Sequence, residues 1–166
     1  MNDISIITQF HKELEAEIPA TRKCIERISE NLYNWKPHEK SMTMGYLILL
    51  VAEIPKWIAI MIKEGEIDFQ TFQHMQANTT NEMVTHFDNN ANDAKQALKE
   101  LTIDQLSMPF ILKNGNQILI KSPLIENLSS TLNHWVHHRG QLTVYMRLND
   151  LAVPSIYGPS ADEKTF

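Results

Sequence analysis

Three histidines, His134, His137 and His138, crowd the stretch LNHWVHHRGQL. On a helix, residues four apart lie one above the other, so His134 and His138 can reach one metal ion while His137 points roughly 100° away from His138. The plainer alternative is a histidine pair satisfied within the fold. Thr131, Gln141, Leu142 and Tyr145 share the face of the pair and turn it inward, where imidazoles are costly without partners. Zinc-type chemistry needs at least three protein donors and one open position, so a third ligand has to come from another helix. The second helix, with Leu50 in the middle of its stripe, is the natural supplier.

Other chemistries find less support. No Glu-x-x-His occurs, which speaks against a di-iron carboxylate bundle. There is no Gly-rich phosphate loop and no Gly-x-Ser-x-Gly elbow. Cys24, beside Arg22 and Lys23, reads as a small core residue before it reads as a nucleophile. Arg139 suits an anion clamp or, more commonly, a salt bridge between helices. Trp57 and Trp135 could line a cavity.

The elements that must position these residues are helical. Ile7, Phe10, Leu14, Ile18, Ile25 and Ile28 recur at helical spacing and predict a helix over 3–31, with Pro19 as a point of strain. Tyr46, Leu47, Leu50, Ile54, Trp57 and Met61 predict a second over 43–64, stopped by Gly65. Thr79-x-x-Glu82 is a capping box for a third over 80–101. MPFILKNGNQILIK predicts a β-hairpin around Asn114-Gly115, and Ser122-Pro123 reads as N-cap and first residue of a fourth helix over 122–149. No repeat or linker divides the chain, so residues 1–166 are expected to form one domain.

Composition narrows the partners. Fifteen Lys and Arg against 20 Asp and Glu give a net charge of -5, so the basic field that nucleic acid requires is absent. A single Cys, and an amino-terminal stretch without a basic and apolar leader, point to the cytoplasm. The most apolar stretch is broken by Glu53, Pro55 and Lys56 and is expected to be a buried helix, not a membrane span.

The runs WKPHEKSMTMGYLILLVAEIP at 35–55, the hairpin at 108–121, HWVHHRGQL at 134–142 and VPSIYGPSADE at 153–163 together resemble a DinB-like protein of the DinB/YfiT-like metalloenzyme superfamily. The resemblance implies an all-α, up-down-down-up four-helix bundle, with the small β-hairpin before the last helix, that forms a homodimer. It further implies a divalent metal, Ni or Zn, in a histidine triad, and in some relatives a low-molecular-weight thiol as cofactor or substrate. Two ligand positions match His134 and His138. Where relatives read like LAxHIAE on the second helix, this chain reads LILLVAE, so Leu50 takes the third position and offers no lone pair. The substitutes within reach of sequence reasoning are His38, Glu53 and His137, of which Glu53 suits a helix contact better. Two functions follow: a metal-dependent thiol transferase with an incomplete triad, or a non-catalytic dimeric bundle that binds a small molecule or a partner.

Overall fold

Apolar residues three and four apart wind most of the chain into helix. The computed structural model describes residues 3–164, so residues 1, 2, 165 and 166 of the expected domain lie outside the described residues. In chain order the elements are α1 (Asp3–Glu26), α2 (Met44–Glu64), β1 (Glu66–Asp68), α3 (Thr80–Glu100), the one-turn α4 (Ile103–Leu106), β2 (Pro109–Asn114), β3 (Gln117–Pro123) and α5 (Leu124–Leu148). A 3-10 turn at Glu30–Leu32 follows α1. The architecture is mostly helical with a small three-stranded sheet, in place of an all-α chain with a lone hairpin.

Local chemistry sets the helix ends. Thr43 accepts a hydrogen bond from the Tyr46 amide at 3.3 Å, and Gly65 closes α2 with φ 72°, a left-handed value that suits glycine. Thr79 and Glu82 form the reciprocal capping box of α3. α1 stops at Glu26, short of the expected residue 31, because the Ile28 amide bonds the Ile25 carbonyl at 3.2 Å and Ser29 turns extended. Ile25 and Ile28 are thereby both buried. α5 begins at Leu124, not at 122, because Ser122 and Pro123 still pair with Phe110 and Pro109 in the sheet.

The sheet order is β1-β2-β3, with β1 parallel to β2 and β3 antiparallel to it. Gly115 and Asn116 form the two-residue turn between paired Asn114 and Gln117, and the φ of 59° falls on Gly115. Positive φ at the first turn position is the type II′ pattern.

α2 is the centre of the packing. Met44, Leu47, Ile48, Val51, Ile54 and Ile58 are all within 1% of complete burial. It is long and apolar enough to cross a membrane, yet 67% of the apolar window is buried inside the molecule, as in a core helix. Pro55 sits fully inside α2 and has no N–H to give the Val51 carbonyl. The indole N–H of buried Trp135 on α5 donates to that carbonyl at 3.0 Å, and the Asn90 amide of α3 donates to the next carbonyl, Ala52, at 2.9 Å. The gap left by the proline is filled from outside the helix.

Candidate functional site

The buried ridge of α5 includes Leu128, Leu132, Trp135 and Leu142. His134 and His138 stand on its half-buried shoulder, beside α2. Their Nε2 atoms face each other at 2.7 Å, and His138 Nδ1 lies 2.7 Å from Gln141 Oε1. Because Gln141 Oε1 only accepts, it fixes the His138 proton on Nδ1, leaving Nε2 to accept from His134 Nε2–H. Burial, and then the charges of His138 and His137, hold the His134 pKa below the ordinary imidazole value. Burial lowers His138 as well, against the pull of Gln141. Both rings are therefore neutral near pH 7.

Two neutral imidazoles are a fair start for a metal site, but the rest of the donor set does not fit one. Tetrahedral zinc at ~2.0–2.1 Å from each nitrogen would hold the two nitrogens roughly 3.4 Å apart. The present pair would have to part and give up its shared proton. Among the described residues no group of three His, Cys, Asp or Glu side chains is arranged to hold a metal ion. Thr131 Oγ1 lies 3.9 Å from the Met61 sulfur and the His134 ring 5.6 Å from that of Trp57. Leu50, on α2, is half-buried and packed against the core, and its side chain has no atom to offer a metal.

None of the three substitutes completes the set. His38 is exposed in the loop before α2, its Nδ1 accepting from the Lys40 amide at 3.1 Å. His137 is exposed and lies edge-on to His138, ring centres 5.1 Å apart. Glu53 is completely buried, and its carboxylate is already engaged. His74 Nδ1 donates to Oε2 at 2.6 Å, the Met75 amide donates to Oε1 at 2.8 Å, and His86 Nε2 stands 3.4 Å from the same oxygen.

Sequence reasoning missed this knot around Glu53. A buried acid on an apolar stripe was visible and demanded a partner, but nothing in the spacing selects His74 or His86. The knot ties down the segment between β1 and α3, and Phe72 of that segment meets Trp57 edge to face at 6.2 Å. The Lys56 ammonium lies over the Phe72 ring at 5.1 Å. Trp57, its Nε1 buried without a hydrogen-bond partner among the described residues, forms one wall of a cavity of about 260 Å³ between α2, α5 and the sheet. His134 forms another part of its wall.

Arg139 is a strut, not an anion clamp. It is 2% exposed, pairs with Glu17 of α1, and reaches Thr21 Oγ1 at 3.3 Å and the Tyr157 hydroxyl at 2.9 Å. Cys24 is fully buried, and burial pushes its thiol up to about 11, against the pull of Arg139 and Arg27. Such a thiol is a core residue and a poor nucleophile at neutral pH.

A family profile described as the DinB family matches residues 1–165. The Bacillus subtilis protein YrdA is 28% identical over 159 residues, spanning 95% of this chain and 91% of that one. The protein YjoA of the same organism is 28% identical over 127 residues, 76% of this chain and 80% of its own length. Among solved structures, the DinB-like YjoA superposes with a TM-score of 0.71 at 22% identity, covering 95% of this chain and 99% of that one. A DinB-like protein from Bacillus cereus gives 0.68 at 20% identity, covering 89% and 95% respectively. These two share its fold.

Proposed function

Since the chain belongs to the DinB family, we propose that it is a small-molecule-binding member in which the family's metal centre survives only as a half-site. One observation carries this reading: the Nε2 atoms of His134 and His138 are satisfied by each other, while the α2 position that the family resemblance assigns to the third ligand is Leu50, a half-buried side chain with no donor atom. We take its four long helices to form the up-down-down-up bundle of the family. Arg22 meets Asp88 and Thr80 meets Ile28, so α1 and α3 run in opposite senses. Glu17 meets Arg139 and Arg27 meets Ala152, so α1 and α5 run together. The homodimer belongs to the same proposal, and sedimentation velocity tests it.

A second reading, the metal-dependent low-molecular-weight thiol transferase, draws support from the way both Nε2 atoms already meet at one point beside a cavity. It requires an ion held by two imidazoles and a donor from outside the chain. Titration of Ni²⁺ and Zn²⁺ into the wild type and Leu50→His separates the two. The binding reading expects weak metal uptake by the wild type and a gain of roughly 10²-fold or more on Leu50→His, since a third imidazole completes an open tetrahedral face. Near-stoichiometric metal in wild-type protein purified without chelator or histidine tag would overturn it, and loss of that metal in His38→Ala would identify a recruited ligand.

A further inference from the structure

We infer that the cavity beside the histidine pair binds a neutral organic molecule of one or two rings, with a polar group along one edge. The inference deepens the binding reading above by naming a ligand class for the same site.

Size comes first. A lined cavity of ~150 Å³ is enough to hold benzene, so about 260 Å³ admits one ring with substituents or two fused rings. The lining decides the chemistry. Trp57 and Met61 of α2, Ile67 of β1 and Phe110 and Leu112 of β2 make an apolar wall. Phe69 and Ile120 at the cavity are 49% and 44% exposed, so apolar surface is left in water that a ligand would cover. Those exposed side chains are where binding gains most.

The opposite wall is a polar stripe on one helix. Asn127, Ser130, Thr131 and His134 follow each other at helical spacing along α5. Asn127 spends its amide N–H groups on Ser122 and the Pro123 carbonyl, at 2.8 and 2.9 Å, which leaves its Oδ1 as an acceptor. With the two hydroxyls, the stripe can both donate and accept. Among the described residues, no Lys, Arg, Asp or Glu lines this cavity. A charged ligand would lose its water without gaining a counter-ion. The combination of apolar wall, uncharged polar edge and ring-sized volume selects a phenol-like molecule over an anion or a peptide.

The probe is 2-naphthol, titrated calorimetrically into full-length protein with excess EDTA, beside naphthalene-2-sulfonate as a charged molecule of similar shape. Saturable one-to-one binding of 2-naphthol is expected, at least tenfold tighter than the sulfonate. Ile120→Asp puts a carboxylate at the apolar rim on an exposed strand position, and Thr131→Leu removes a hydroxyl and fills space. Each should weaken 2-naphthol at least tenfold, and circular dichroism checks that each is folded. Absence of saturable binding, equal binding of the sulfonate, or unaltered binding in a folded variant would overturn the inference. The metal titration is independent of this result: wild-type protein that holds metal stoichiometrically overturns the half-site reading even if 2-naphthol binds, and weak metal with no 2-naphthol binding removes only the ligand class.

Discussion

Glu53 carries a carboxylate into the apolar face of α2 with no surface left to water, so all its stabilisation has to come from His74, the Met75 amide and nearby His86. Removing the carboxylate leaves the Met75 amide without its acceptor and unties His74 from α2. Glu53→Ala should cost about 2–4 kcal/mol. The midpoint of thermal unfolding should fall by roughly 5–10 °C in a chain of this size, and proteolysis should open first in the segment around His74. Cys24 provides a second test at this scale. With its thiol pushed up to about 11 by burial, labelling by a thiol reagent at pH 8 should be much slower in the native protein than in urea. The histidine pair was legible because its two members lie one helical turn apart. The Glu53 knot was not, because His74 and His86 reach it only through tertiary folding.

The ends of elements carry much of what the chain specifies locally. Thr79→Ala removes the acceptor of the capping box on α3 and should cost about 1 kcal/mol, measurable by urea denaturation with unchanged slope. The tail after α5 is held differently, by Glu163. Hydrogen bonds from Arg27, from the Ser155 amide and from Lys23 bring its carboxyl down to about 2 from an ordinary 4.5. A carboxylate lowered by folding stabilises the native state above its ordinary pKa and loses that contribution as pH falls through 4.5 towards the folded value. Stability should therefore decline between about pH 4.5 and 2, and Glu163→Gln should flatten that limb while lowering stability at pH 7. The four long helices were legible from period and caps. β1 and the one-turn α4 were not, because three or four residues make too short a pattern; α4 is held by a capping box in which Gln105 Oε1 accepts from the Thr102 amide at 2.9 Å.

At the scale of the whole molecule, α2 is shared by every partner. It packs on α3 on one side and α5 on the other, and α1 completes the set through both of them. One core of this kind should unfold in one step. Thermal curves followed by far-ultraviolet circular dichroism and by tryptophan fluorescence should coincide, and separated curves would divide the chain into two units. The order of motifs along the chain made the overall architecture readable. Of the cavity only Trp57 was readable, while Trp135 points into the core instead; the remaining walls come from two helices and three strands that only the folded chain assembles.

Pro55 carries a consequence for the order in which the molecule can be made. A helix made in isolation leaves Val51 with an open carbonyl at its middle, and the group that closes it, the Trp135 indole, is 84 residues further along. On the ribosome α2 emerges long before Trp135 does. A nascent chain that ends before α5 therefore holds its most apolar helix unfinished and uncovered on the side that α5 packs, and should depend on being kept from aggregating until synthesis is complete. Pro55→Ala would give residue 55 its own amide for that carbonyl. Trp135→Phe should then destabilise the Pro55→Ala background less than the wild type, a coupling that a double-mutant cycle reads directly.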